Sequence, residues 1–309
     1  MSEIYDLVIV GGGPAGLTAA IYATRYQLKT LVLATVFGGT AAQAHKICNF
    51  PSYKSIKGFE LMEKMRIHAQ DSGAEMKMAT VKRIEKKGEK FKILVGSEEY
   101  LAKTIVLALG MKHRQLGLSN ESKYLGRGLS YCFTCDGSFF KNRVVAVVGG
   151  SNAAVTAVLY FAEICPKVYL IYRKNKLRAE PVWTNLLAKK KNVEIVYDTN
   201  VIGLSGESKL EKIKLDKNYQ NKREIVTDGL FIEIGGEPTR KLIQLLAVEI
   251  DEQGFAKINS GGETNIQGVW AAGDMTVASD GFRQIITACA QGAVAAQSVF
   301  KYLQREKKK

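Results

Sequence analysis

Cys132 and Cys135 are separated only by Phe133 and Thr134, in the run Ser130-Tyr131-Cys132-Phe133-Thr134-Cys135-Asp136-Gly137. At this spacing two sulfurs can close a small disulfide ring, and thiolate pKa values are commonly lowered in such pairs. Redox exchange is the chemistry that follows. A zinc half-site and two inert thiols are the alternatives. Zinc normally takes four ligands, and the sequence offers no second Cys-x-x-Cys, while His45, His68 and His113 are isolated. Asp136 directly follows the pair, where a carboxyl can move the proton that disulfide reduction requires. Its plainer role is a turn residue beside Gly137.

Two glycine-rich turns supply a second kind of chemistry. Gly11-x-Gly13-x-x-Gly16, with Pro14 and Ala15 inside, follows the apolar run Asp6-Leu7-Val8-Ile9-Val10. A pyrophosphate must come close to the backbone N–H groups at a helix N-terminus, and a Cβ blocks that approach. The acidic residue that usually ends the second strand and holds ribose hydroxyls is absent, since Ala34 and Thr35 occupy the region. Backbone groups around Gly38-Gly39-Thr40 are the expected substitute. The second turn, Gly149-Gly150-Ser151-Asn152-Ala153-Ala154, has Ser151 in place of the central glycine.

The elements around both turns read as βαβ units. In the first, residues 6–10 form a strand, a helix with small and apolar residues covers 17–23, and residues 30–33 return as a strand. The second begins at Arg143 with a strand over 143–148, continues as a helix to about Glu163 and returns over 167–172. An internal repeat of the dinucleotide-binding unit argues for two nucleotides. Residues 76–108 and 191–234 read as smaller β segments, Gly268–Asp274 as a short strand into a turn, and about Arg283–Leu303 as a helix rich in small residues.

The chain has 309 residues, enough for two domains, with 46% hydrophobic and 24% charged residues. Only the run Arg305-Glu306-Lys307-Lys308-Lys309 has the composition of a disordered tail. Lys and Arg number 44 against 30 Asp and Glu, a net charge of +14. This reads as a solvated basic surface or as steering toward an acidic partner. The basic residues are scattered without a reader motif, so nucleic acid is not expected. Five cysteines at low density exclude a disulfide scaffold and fit a reducing, cytoplasmic setting. Neither a secretory signal nor a membrane span is expected.

Taken in order, Gly11-Gly12-Gly13-Pro14-Ala15-Gly16, Asn49-Phe50-Pro51, the cysteine motif, the second glycine turn, Arg173-Lys174-Asn175-Lys176-Leu177-Arg178-Ala179, Ala271-Ala272-Gly273-Asp274 and Arg283-Gln284 resemble the low-molecular-weight thioredoxin reductases over nearly the whole length. The resemblance implies an α/β fold of two Rossmann-like dinucleotide-binding domains, that of the class II pyridine nucleotide-disulfide oxidoreductases. It implies an FAD domain from residues 1–115 and 244–309, and an inserted NAD(P)H domain, 116–243, that carries the cysteine pair.

By the same resemblance, FAD lies on Gly11, Gly13, Pro14, Ala15 and Gly16, with Gly38, Gly39, Thr40, Asn49 and Gly110 against the nucleotide. Gly273 and Asp274 meet the ribityl chain, and Arg283, Gln284 and Ile285 approach the flavin ring. NADPH is expected on Gly149, Ser151, Asn152, Ala153 and Gly235. Arg173, Lys174 and Arg178 supply cations for a 2′-phosphate; NADH or another donor is the alternative. Cys135 is the sulfur nearest the flavin, Cys132 attacks the partner's disulfide and Asp136 donates the proton. The partner implied is thioredoxin or a thioredoxin-like protein, with a glutaredoxin-like partner as the alternative; the assembly is a homodimer, and one domain is expected to rotate against the other during turnover.

The sequence departs from the family pattern at several points. Ser151 replaces glycine, Ala153 stands where Ser or Thr is usual, and Val155-Thr156-Ala157 stand where a Glu-Glu pair is common. Tyr172-Arg173-Lys174 replace a His-Arg-Arg cluster, Leu109 replaces Thr, and Phe133 replaces a small residue between the cysteines. Altered nicotinamide positioning, loop packing around Leu109, and redox poise or partner fit at Phe133 are the expected consequences.

Overall fold

The computed structural model describes residues 4–278 and 282–308. The chain divides into two compact units, residues 1–112 with 237–309, and residues 113–236. Each is built on its own parallel sheet.

In the first unit, strand Ile4–Gly12 lies at the centre because its residues are apolar on both faces, as a doubly covered parallel strand requires. Helix Pro14–Arg25 follows, with proline in its first turn, where the missing N–H is unneeded. The chain returns as strand Thr30–Phe37, parallel to the first in register Leu7↔Thr30 to Val10↔Leu33. The sheet order is Glu75–Met78, Thr30–Phe37, Ile4–Gly12, Glu98–Leu107, Lys90–Val95, Arg83–Lys87. Strand Val269–Ala271 also pairs with Glu98–Leu107, in parallel through Ile105–Leu107. The β segment expected over 76–108 therefore has two parts, a parallel edge strand and an antiparallel meander that ends in a core strand.

Two apolar layers cover this sheet. Leu7, Ile9 and Val106 face Leu17, Ala20, Ala296 and Val299 of the helices. Val8, Val10 and Ile105 face Leu242, Ile243, Leu246 and Met275. Burying each large aliphatic side chain stabilises by about 1.5–3 kcal/mol. Helix Ile285–Glu306 crosses helix Pro14–Arg25 closely: a Cβ on Gly292 would lie 2.1 Å from the Ala15 carbonyl oxygen. Its apolar face continues to buried Leu303, which holds the terminal residues helical through Glu306. The disordered tail expected from composition is thus corrected for residues 305–308, where Lys307 and Lys308 close the helix by backbone hydrogen bonds; Lys309 lies outside the described residues.

The second unit has a fully parallel sheet ordered Val193–Val196, Lys167–Ile171, Val144–Val148, Gly229–Ile232, Leu129–Ser130. Helix Asn152–Ile164 packs on one face with Phe161 against Phe231. The β segment expected over 191–234 is split. Its ends join this sheet, and Val201–Ser205, Lys212–Tyr219 and Lys222–Val226 form an antiparallel three-stranded sheet. Among the described residues no helix is long and apolar enough to cross a membrane.

Candidate functional site: a disulfide and two glycine turns

Cys132 and Cys135 form a disulfide, with S–S 1.99 Å and Cα–Cα 5.3 Å. Cys132 is the extended N-cap of the single-turn helix Phe133–Asp136, and its sulfur accepts the Cys135 amide at 3.2 Å. Among the described residues no cluster of His, Cys, Asp or Glu is arranged to hold a metal ion. Phe133 is buried, its ring 5.8 Å from Tyr160 and 6.4 Å from Phe161. It belongs to that unit's core cluster with Val158 and Phe161.

The residues beside the pair form a network that spacing alone does not reveal. Buried Ser130 donates its hydroxyl to the Asp136 carboxylate at 2.6 Å and accepts the Cys132 amide at 3.0 Å. Asp136 is thereby fixed to the segment that carries Cys132. Glu121, also buried, accepts the amides of Leu116, Gly117 and Leu118 and the hydroxyl of Tyr131. Burial and the Glu121 carboxylate push the Tyr131 phenol above its usual range. Tyr131 thus stays a neutral donor that ties the residue before Cys132 to a buried acceptor.

The three glycines of the first turn are constrained differently. A Cβ on Gly11 would lie 2.1 Å from the Ala108 carbonyl oxygen, and one on Gly16 1.9 Å from the Gly11 oxygen. The fold itself requires both. Gly13 is the N-cap of helix Pro14–Arg25, and no atom lies within 4 Å of its notional Cβ. Protein packing does not demand that glycine, whereas the close approach of a phosphate does. The turn therefore fits a dinucleotide pyrophosphate.

Several distant segments converge on this turn. The Gly38 amide donates to the Gly12 carbonyl at 2.7 Å, and a Cβ on Gly39 would lie 3.5 Å from the Gly13 Cα. Gly38 has φ +93° and starts the 3-10 helix Gly39–Gln43, which includes exposed Thr40. A Cβ on Gly273 would lie 2.9 Å from the Ala15 Cβ, so Gly273 and Asp274 stand at the same helix start. The Gln291 side chain accepts the Gly273 amide at 2.8 Å and the Thr276 hydroxyl; sequence reasoning missed this residue.

Burial pushes the Asp274 carboxyl above the usual carboxylate range, against the pull of the Arg283 guanidinium. Arg283 donates to the Asp274 carbonyl and lies 4.0 Å over the Phe255 ring. Asn49 donates to the Gln284 side chain at 3.0 Å, and Ile285 and Phe50 both pack against the cluster of Ile47, Ile56, Leu61 and Met62. Gly110, at φ +59°, follows the strand that ends beside the turn. Leu109 packs among the core residues on one sheet face, with its amide directed at the Met275 sulfur, which is how the loop accommodates leucine.

The second turn repeats the plan with a tighter wall. A Cβ on Gly149 would lie 2.3 Å from the Glu233 carbonyl oxygen, matching Gly11 and Ala108. Ser151 is the N-cap of helix Asn152–Ile164 and makes no side-chain cap, so amides of the first turn stay open to an anion. The Asn152 side chain accepts the Glu180 amide at 2.8 Å, and the Arg178 amide donates to the Gly150 carbonyl at 2.7 Å. Arg178 is therefore held at the turn. Exposed Arg173 and Lys174 follow buried Tyr172 at the end of strand Lys167–Ile171, and no contact among the described residues ties either to Ala153 or Gly235. The open amides and nearby cations fit a nicotinamide dinucleotide.

The family model described as pyridine nucleotide-disulphide oxidoreductase matches residues 5–292. A thioredoxin reductase of Listeria innocua is 37% identical, over 99% of this chain and 96% of that protein. The crystal structure of Lactococcus lactis thioredoxin reductase in the FR conformation superposes with a TM-score of 0.92 at 35% identity, covering 97% of this chain and 99% of that one. The thioredoxin reductase of T. acidophilum superposes at 0.90 with 33% identity, covering 96% and 98%. With two dinucleotide turns and a disulfide on the second unit, the chain belongs to the thioredoxin reductase branch of the pyridine nucleotide-disulphide oxidoreductase family.

Proposed function

We propose that the chain is a thioredoxin-disulfide reductase, moving electrons from NADPH through FAD and the Cys132–Cys135 disulfide to thioredoxin or a thioredoxin-like protein. The observation that carries this reading is the closed disulfide beside Asp136, in a chain with two dinucleotide turns. The unit of residues 1–112 and 237–309 holds FAD on Gly11–Gly16, and the unit of residues 113–236 holds the nicotinamide nucleotide on Gly149–Ala154. FAD supplies the carrier that accepts a hydride and passes an electron pair to the disulfide. The setting is the cytoplasm, where the free thiols of Cys48, Cys165 and Cys289 persist, and the assembly is a homodimer.

The protein's own groups perform the exchange. Once the Cys132–Cys135 bond is reduced, a thiolate attacks one sulfur of the partner's disulfide, whose other sulfur leaves and takes a proton. The second cysteine then attacks the mixed disulfide, re-forms the ring and releases the partner as a dithiol. Asp136, oriented by the Ser130 hydroxyl, supplies the proton to the sulfur that leaves when the ring opens. The family resemblance makes Cys132 the attacker, although Cys135 is the more exposed. Single substitutions decide the order. Cys135→Ser is expected to trap thioredoxin covalently on Cys132, and each serine variant to lose at least about a thousandfold in NADPH-dependent thioredoxin reduction. Trapping by Cys132→Ser alone would reverse the assignment, and undiminished turnover in both would refute the reading.

A second reading keeps this chemistry and changes the donor. Ser151 places a side chain at the position that is glycine in the first turn, which bears on the pyrophosphate of NADPH and NADH alike, so the alternative it points to is a donor other than a nicotinamide nucleotide. Anaerobic flavin reduction by neither NADPH nor NADH would favour that reading, and rapid reduction by either would exclude it.

A further inference from the structure

Glu233 is an uncommon residue in its surroundings. It directly follows strand Gly229–Ile232, donates its amide to the Val148 carbonyl and is 8% exposed. Its carboxyl makes no hydrogen bond or ion pair among the described residues. Side chains alternate along a strand, so Glu233 shares the face of Phe231, the face covered by helix Asn152–Ile164. It adjoins Gly149, on which a Cβ would lie 2.3 Å from the Glu233 carbonyl oxygen.

The sheet order identifies the place. Strand Val144–Val148 is followed in the chain by strand Lys167–Ile171 on one side, while Gly229–Ile232 pairs on the other. The winding reverses between these two flanks of Val144–Val148. In open α/β sheets, ligands bind outside the carboxyl ends of the strands at such a reversal. Gly149 and Glu233 are the residues at that point.

We propose that Glu233 is a pH-dependent binding residue of the second turn: as a neutral acid it donates a hydrogen bond to an acceptor of the bound nicotinamide dinucleotide, and as a carboxylate it repels the pyrophosphate. The inference rests on the donor being a nicotinamide nucleotide. Burial pushes the Glu233 carboxyl up to about 8, with no charged neighbour contributing, so the neutral form prevails at pH 7. The elements around it carry few ionisable groups. Strand Val144–Val148 and the first turn of helix Asn152–Ile164 have none; the segment after Leu129–Ser130 carries Tyr131 and Asp136; Arg114 and Arg178 are brought near by their backbone amides, which donate to the Gly235 and Gly150 carbonyls. None of these contributes to its shift.

The test is calorimetric titration of the oxidised, FAD-loaded protein with NADP+ at pH 7, 8 and 9 and constant ionic strength. Over this range the 2′-phosphate stays ionised, since its second pKa is about 6. The parent is expected to lose about tenfold in affinity between pH 7 and 9, the linkage of one proton. Glu233→Gln, which keeps a donor and cannot ionise, is expected to bind at pH 7 like the parent and to change less than about twofold across the range. Parallel behaviour of parent and variant, or pH-independent binding by the parent, overturns the role of Glu233 alone. Failure of NADP+ to bind either protein at any pH overturns the nicotinamide reading and this proposal with it.

Discussion

A carboxyl buried without a counter-charge must resist ionisation, and at Glu233 that resistance has a cost in stability. Its folded value, about 8, lies above the ordinary 4.5. The folded state therefore holds its proton where the unfolded chain has released one. The stabilisation this gives is complete below pH 4.5 and is lost as pH rises to about 8. Between those limits the slope is about 1.4 kcal/mol per pH unit, or of the order of 3 kcal/mol by pH 7. Glu233→Gln is expected to remove the slope: the melting temperatures of variant and parent, compared without nucleotide, should diverge from pH 5 to pH 8 and run parallel above. A constant gap across that range would contradict the assignment. At this scale the sequence displays the groups whose chemistry is local. Cys132, Cys135 and Asp136 are neighbours, and so are the glycines of each turn. Ser130, Glu121, Gln291 and Glu233 owe their roles to burial and to partners far along the chain, which residue types alone do not disclose.

At the level of elements, the glycine positions separate folding from binding. Gly13 has φ −82° and open space at its Cβ, so Gly13→Ala is expected to leave the melting temperature of the FAD-free chain unchanged while FAD retention falls at least about tenfold. Gly292→Ala pushes a methyl into the Ala15 carbonyl at the helix crossing and is expected to destabilise the chain by about 1–3 kcal/mol. Thermal melts of the apo proteins with flavin release by ultrafiltration check both, and equal destabilisation by the two substitutions would contradict the distinction. Both βαβ units were legible because their strands are continuous apolar runs and their turns are marked by glycine. Helix Gly58–Asp71 has no counterpart in the sequence reading. Only four of its residues are buried, Gly58, Leu61, Met62 and Ala69, while apolar Phe59 and Ile67 are exposed off that face, so its apolar periodicity is blurred. The split of 191–234 between two sheets was equally hidden, since pairing partners are chosen by tertiary packing.

For the molecule as a whole, a first unit built from both ends of the chain, residues 1–115 and 244–309, was implied only by the family resemblance; composition and spacing alone do not disclose it. What assembles its site is long-range: Asn49 meets Gln284, and Gly273 meets Ala15. Helix Lys241–Leu245 joins the first unit because Leu242 and Ile243 enter its core beside Val10 and Leu33.

The central claim is that one chain stores electrons in two places, a flavin and the Cys132–Cys135 pair. Anaerobic titration of the FAD-loaded protein with NADPH, followed by flavin absorbance, tests it directly. The parent is expected to consume about two equivalents per chain before the flavin is fully bleached, and a Cys132→Ser, Cys135→Ser double variant about one. Equal consumption of one equivalent by both proteins would show that the disulfide receives no electrons and would contradict the account.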